Sequence, residues 1–259
     1  MSSPAALSLP LDLGTVHPLS ASEVADWILT EPGGWNGPRV LSNLNLHGLY
    51  MRETHPEFRM LTEQADLTII DGWPILLLAK RSAKKKNVGL ASRHRVGSTD
   101  WLEEIVARDQ PMRIVAVGGT EETAAGAARW ALEHSTRITW TAFSGYGSHV
   151  DEPGPDLIAE LSKADLVLVG LGMPRQEEWI VRNQRFVNGV IANVGGCLDY
   201  FAGAQSLAPR WMGRLGLEWF FRLVKDPRRL ARRYLVEPFE LIWVVVRRKT
   251  SAKDVGAGG

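Results

Sequence analysis

The stretch Leu166-Val167-Leu168-Val169-Gly170-Leu171-Gly172-Met173-Pro174-Arg175-Gln176-Glu177-Glu178-Trp179 decides the fold. Four apolar residues without a polar alternation read as a strand buried on both faces, because no face is left for water. Gly170 and Gly172 then turn the chain. Pro174 stands where a helix begins, since its fixed φ suits a first turn and its missing N–H costs nothing there. Helical spacing follows over residues 174–186. Strand, glycine turn and helix together make half of a βαβ unit.

The same grammar repeats on both sides of that stretch. Short apolar, β-branched runs occur at 39–42, 67–70, 113–117, 138–143 and 190–194, and residues 121–133 have helical spacing. Strands alternating with helices require a parallel sheet, and right-handed crossovers place every strand's carboxyl end on one side. The expected fold is therefore α/β: a Rossmann-like, mainly parallel sheet with helices on both faces, plus a helical C-terminal appendage. We divide the chain into a core over 1–204 and an appendage over 205–259. Residues 1–35 are rich in Ser, Pro and Gly and read as partly irregular, with one helix at Ala21–Leu29.

The unusual residues fall at the carboxyl ends. The runs finish in Asn43-Leu44-Asn45, Asp71-Gly72, Gly118-Gly119, Gly145-Tyr146-Gly147, Gly170-Leu171-Gly172 and Gly195-Gly196. Open α/β sheets bind ligands there, where loops and helix N-termini converge. A single glycine pair is equally a tight turn; six in register argue for a site.

The common cofactor fingerprints are missing. Gly170-x-Gly172 lacks the third glycine of a dinucleotide fold, which disfavours an NAD-dependent oxidoreductase, and no Walker phosphate loop occurs. Neither Asp-x-Asp nor His-x-x-x-His is present, and the six His are scattered, so neither a metal nor a cofactor is expected. If a diphosphate is handled, arginines must supply its counter-charge. The single cysteine, Cys197, allows no internal disulfide and fits a reducing compartment. The N-terminus has no basic segment followed by an apolar run, so no signal peptide is expected.

A formal net charge of +1 hides an asymmetry. From Gln205 onward there are 12 Lys+Arg against 5 Asp+Glu, while the remainder holds 18 against 24. Helices are expected at 211–225, 228–236 and 239–249, interrupted by Pro227 and Pro238. A basic, Trp-containing amphipathic tail reads as a membrane-surface element, or else as a terminal helix packed on its own core. Charge alone also admits nucleic acid, but arginines alternating with apolar and Trp residues in helices suit lipid better, so no nucleic-acid partner is expected.

Asp71 follows Leu67-Thr68-Ile69-Ile70 and precedes Gly72. A carboxylate in such a cleft can take a proton from an attacking hydroxyl. It can equally cap the next helix. Spacing alone does not separate the two.

The ordered blocks around it do. Asp71-Gly72, Arg95-Val96 with Asp100, Gly118-Gly119, Gly170 to Trp179, Val194-Gly195-Gly196-Cys197-Leu198-Asp199-Tyr200-Phe201, Ala208-Pro209-Arg210-Trp211, Glu218-Trp219-Phe220-Phe221-Arg222-Leu223 and Asp226-Pro227-Arg228-Arg229 follow in sequence. In that order and spacing they resemble the WecG/TagA/CpsF family of bacterial glycosyltransferases over about residues 38–235. The resemblance implies an inverting, metal-independent enzyme at the cytoplasmic face of the plasma membrane. It would move a sugar, often N-acetylmannosamine or its uronic acid, from a UDP-sugar donor to a polyprenyl-diphosphate-linked sugar in cell-surface polysaccharide or teichoic-acid synthesis. It further implies Asp71 as general base, Asn45 orienting acceptor or donor sugar, and Gln176 at the donor, with Tyr146 and Asp199 near the uridine. Arg95 would stand by the diphosphate, with Arg222, Arg228 and Arg229 closing over the site. Asn43, Gly118, Gly119, Gly172 and Pro174 complete the expected substrate-binding set. Self-association through the core also fits the resemblance.

Three departures touch the acceptor side: Asn43 where the family usually has Thr, a glycine displaced by one in Arg95-Val96-Gly97-Ser98-Thr99-Asp100, and a longer basic segment at 81–93. They loosen the sugar assignment more than the reaction class. A membrane-recruited nucleotide-sugar-binding protein without turnover is the alternative reading; it shares every feature except a working Asp71 and acceptor site.

Overall fold

The computed structural model describes residues 5–30, 37–206, 208–209, 212 and 216–256, without the side chains of His149, Arg229 and residues 249–256. All six expected strands are present: β3 (Arg39–Leu44), β4 (Leu67–Ile70), β5 (Met112–Gly118), β6 (Ile138–Phe143), β7 (Leu166–Gly170) and β8 (Val190–Asn193). They form one parallel sheet in the order β4-β3-β8-β7-β5-β6.

The uninterrupted apolar runs feed two cores, since side chains alternate across a strand. Leu166 and Leu168 point to one face, against α1 (Ala21–Leu29), α5 (Ser98–Ala107), α6 (Glu121–His134) and α10 (Cys197–Phe201). Val167 and Val169 point to the other, against α3 (Pro56–Gln64), the short α7 (Ser148–Asp151), α8 (Pro155–Lys163) and α9 (Arg175–Asn183). A third cluster, built on α2 (Leu46–Thr54) and α4 (Trp73–Lys85), covers the β4 end of the sheet. The chain leaves β3 toward the α3 face and leaves β8 toward the α10 face. The two strands are neighbours, so a crevice opens between their carboxyl ends, the usual place for a ligand in such sheets.

Close strand packing accounts for part of the glycine row. A Cβ at Gly118, where φ is +158°, would stand 2.5 Å from the Gly170 carbonyl oxygen, and one at Gly170 would stand 2.8 Å from the Gly195 carbonyl oxygen. These contacts between adjacent strand ends demand glycine with or without a ligand.

The N-terminal region is more ordered than its composition suggests. Besides α1, closed by a Ser20–Glu23 capping box, it forms a hairpin of β1 (Leu7–Ser8) and β2 (Thr15–Val16). Leu7, Leu9, Leu13 and Val16 are buried, and the His17 N–H donates to the Thr68 carbonyl at 2.7 Å, which covers the edge strand β4. Two-residue strands are too short to show a period.

The tail forms α11 (Glu218–Lys225), α12 (Pro227–Leu235) and α13 (Glu237–Gly256). Pro227 opens α12, while Pro238 lies second in α13, where a first turn tolerates it. The inner face of α13 buries Leu241 and Val245 in the α2 and α4 cluster, and Arg248 pairs with the buried Glu53 of α2 at 2.9 Å. Its outer face leaves Phe239, Ile242, Trp243 and Val246 more than half exposed. The terminal helix thus packs on the protein's own core and also presents an apolar face to its surroundings. Among the described residues no helix is long and apolar enough to cross a membrane.

Candidate active site

A cleft of about 450 Å³ lies at the carboxyl ends of β3, β4 and β8, with Asn45 and Asp71 in its wall and α12 across it. Asp71 follows the last residue of β4, and its backbone N–H donates to the Leu44 carbonyl at 3.0 Å, extending the ladder by one step. The helix that follows has Gly72 at its N-cap and no side-chain cap, so the Asp71 carboxylate is not consumed as a cap. Its hydrogen-bond partner is Asn45, whose Nδ2 donates to Asp71 Oδ2 at 3.1 Å. Asn45 in turn caps α2, its Oδ1 accepting from the Gly48 N–H at 3.0 Å.

Arginines from the tail face this pair. Arg233 of α12 donates through Nη2 to Asn45 Oδ1 at 3.4 Å, and its Nε is buried without a partner among the described residues. Burial holds the Arg233 pKa below the usual guanidinium value, while Tyr234, Asp71 and Glu237 pull the other way. Arg222 of α11 also lines the cleft, over the Tyr200 ring at 5.5 Å. A partly desolvated guanidinium with spare donors is a place for an anion.

Beneath the cleft lies a buried polar layer. Trp101 donates through Nε1 to Asn43 Oδ1 at 3.3 Å, and the Asn43 N–H donates to Asn193 Oδ1 at 2.7 Å. The Asn43 side-chain amide also donates to the Asn193 carbonyl. Asn193 Nδ2 reaches Glu177 Oε1 at 2.8 Å, and Gln176 Nε2 reaches the same oxygen at 2.7 Å. Gln176 Oε1 accepts from the Gly195 N–H at 3.1 Å. Glu177 is fully buried, with Oε2 unpartnered among the described residues, and burial pushes its pKa up to about 7 against the pull of the Asn193 and Gln176 amides.

The expected residues divide accordingly. Asn43, Asn45, Asp71, Gly172, Gln176 and Arg222 line the cleft. The side-chain hydrogen bonds of Asn43 and Gln176 run within the buried layer. Asp199 lines an adjoining cavity of about 440 Å³, accepting from Gln205 at 3.2 Å. Pro174 stands at the N-cap of α9 behind Gly172 and Met173. Arg95 pairs with Glu218 at 3.2 Å and stands over the Trp73 ring, outside the cleft wall. Gly118 and Gly119 serve strand and helix packing, and Tyr146 is 66 % exposed on the loop after β6. Arg228 is exposed, and the side chain of Arg229 lies outside the described residues.

On α12 the arginine that the structure brings to the cleft is Arg233, which the sequence reading did not single out beside Arg228 and Arg229. Leu230 is buried, and Arg233, three residues on, shares its inward face, whereas Arg228 is exposed. That periodicity was the available signal. Asn193, Glu177 and the His47–Glu237 pair were also missed. His47, at the start of α2, hydrogen-bonds Glu237 at the start of α13 and so pins the tail beside the cleft. Burial and then Arg233 lower the His47 pKa, with Glu237 opposing them.

Comparison with known proteins gives the chain its class. The model of the glycosyl transferase WecG/TagA/CpsF family matches residues 10–255. The chain belongs to that family. It is similar to the N-acetylglucosaminyldiphosphoundecaprenol N-acetyl-beta-D-mannosaminyltransferases of Staphylococcus aureus strains MRSA252 and MW2, 32% identical over 183 residues that cover 69% of this chain and 69% of each relative. The protein is a glycosyltransferase. Among the described residues of this glycosyltransferase, no three His, Cys, Asp or Glu side chains gather where they could hold a metal ion.

Proposed function

We propose that this glycosyltransferase moves N-acetylmannosamine or a related sugar from a UDP donor to a polyprenyl-diphosphate-linked N-acetylglucosamine, with inversion and without a metal. The observation that carries the reading is Asp71 itself: a strand-end carboxylate not used as a cap, aimed by Asn45 into a cleft that also receives Arg222 and Arg233. The acceptor hydroxyl gives its proton to Asp71 as its oxygen attacks the anomeric carbon from the face opposite UDP. The bond from that carbon to the phosphate oxygen breaks, and its electron pair leaves on UDP. Arg222 and Arg233 meet the charge that develops on the diphosphate, a role that preorganised cations perform without reorganising during the reaction.

The core over 1–204 supplies the carboxylate and the donor cleft, and the appendage over 205–259 supplies the arginines and the lipid contact. The outer face of α13, with Phe239, Ile242, Trp243 and Val246 exposed and Arg247 at 3.6 Å over the Trp243 ring, suits an anionic bilayer surface. The enzyme would work there, on the inner face of the plasma membrane. UDP release from UDP-N-acetylmannosamine in the presence of EDTA tests the reading. Release that depends on the lipid-diphosphate acceptor supports it. Binding of the donor without any release would instead favour a nucleotide-sugar-binding protein, and a strict requirement for added Mg²⁺ would contradict the role given to the arginines.

A further inference from the structure

Asp71 is reached from two sides. Besides the polar cleft, a groove of about 260 Å³ runs to it between Trp73 and Pro74 of α4 and Trp219 and Tyr234 of the tail. Arg222 and Arg233 are common to groove and cleft. The two differ in chemistry: the cleft is floored by asparagine, glutamine and glycine, whereas the groove is walled by aromatic rings and a proline.

The groove is a formed feature. Trp219 and Tyr234 meet edge to face, with ring centroids 6.0 Å apart. Arg95 stands over the Trp73 ring at 5.8 Å and pairs with Glu218, which ties α11 down beside it. Gly216, at φ +74°, lies against the Trp73 indole so closely that a Cβ would come within 2.9 Å of the ring. Any other residue there would push Trp73 into the groove or lift the tail away.

We propose that this aromatic groove holds the sugar of the lipid-linked acceptor, leaving the polar cleft to the nucleotide-sugar donor. The proposal rests on the reaction given above and divides its two substrates between the two cavities. A single-displacement transfer needs the attacking hydroxyl and the leaving diphosphate on opposite sides of one carbon. Two cavities that share Asp71, Arg222 and Arg233 provide such an arrangement. The groove is polar at its inner end, at Asn45 and Asp71, and apolar along its walls. That gradient suits a sugar with one hydroxyl directed inward and its C–H face on an indole, since flat aromatic side chains offer large contact area with little entropy to lose. The volume lies below the ~300–1,000 Å³ of pockets that enclose a drug-sized ligand, so it admits a head group and not a polyprenyl chain. The chain leaves over Trp219, itself 42 % exposed, toward exposed Phe220 and Val224.

The test uses the full-length protein and the acceptor sugar carried on farnesyl diphosphate. Its binding is measured by calorimetry, UDP binding is measured in parallel, and both Michaelis constants are taken from UDP release. Trp219→Ala is expected to weaken analogue binding and raise the acceptor KM by about 10-fold, while UDP affinity and the donor KM stay unchanged. Trp219→Phe should recover most of the loss. Unchanged analogue binding in Trp219→Ala, a shift in the donor constants instead, or no analogue binding by the wild-type protein overturns the assignment. A wild-type protein that binds the analogue through Trp219 but releases no UDP would sink the reaction and leave the groove assignment standing.

Discussion

Asn45 donates to Asp71 Oδ2 at 3.1 Å while its own Oδ1 accepts the Gly48 N–H at 3.0 Å, so the cap of α2 fixes the amide that aims the carboxylate. Neither residue is near the other in sequence; parallel pairing of β3 with β4 brings their carboxyl ends side by side. The same amide oxygen receives Arg233 from the tail. One side chain therefore links the core's first crossover, the proposed base and the appendage.

This linkage separates capping from catalysis. Asn45→Ala should lose ~1 kcal/mol of stability with the cap and also lose turnover. Asn45→Ser should recover the stability, because serine caps well, but not the turnover, because its hydroxyl is too short to hold Asp71. Thermal unfolding and kcat on both variants check this. Normal kcat in the serine variant would show that Asp71 needs no such partner.

The arginines of α12 should behave unequally. Arg233→Ala is expected to reduce transfer by about 10- to 100-fold, the worth of one charged hydrogen-bonding partner of ~1.5–3 kcal/mol. Arg228→Ala, on the exposed side of the helix, should change it by less than about twofold, as surface changes usually do. Equal losses in the two variants would place the substrate on the other side of α12.

Glu177 makes stability depend on pH. Burial raises its carboxyl from 4.5 to about 7 in the folded protein, so the folded state holds that proton over a range in which the unfolded chain has released it. The contribution is full below about pH 4.5 and is lost as pH rises through about 7, for a total of about 3 kcal/mol. Glu177→Gln cannot titrate. Its melting temperature relative to wild type should therefore rise between pH 5 and pH 8. A constant difference across that range would mean that the buried carboxyl is ionised throughout.

The outer face of α13 gives a fourth expectation. Ile242→Glu lies on an exposed position and should leave the fold and UDP binding intact. Sedimentation with anionic vesicles should fall several-fold, since a buried apolar side chain is worth about 1.5–3 kcal/mol. Unchanged sedimentation would assign membrane contact to another surface.

The sheet was legible in the sequence because its strands are buried on both faces: 67–70 and 138–143 were bounded as observed and the other four to within two residues. Ligand-facing positions were less so. Gly118 looks like a phosphate-approach glycine, yet the carbonyl of Gly170 accounts for it. Asn43 and Gln176 lie at the cleft, but their amides are turned toward Asn193, Glu177 and Gly195. Sequence order marks a strand end as a site without telling which polar atoms face inward. Asn193, which bonds Glu177, and Glu237, which bonds His47, lie 16 and 190 residues from them, and no local pattern announces such pairs.

The central claim is that Asp71 accepts the proton from the attacking hydroxyl, and Asp71→Asn tests it most directly. The substitution keeps size and removes the basic lone pair. With UDP affinity measured alongside acceptor-dependent transfer, the account predicts unchanged UDP binding and a ~10²–10⁴-fold loss of kcat. Near-normal turnover in Asp71→Asn would contradict it.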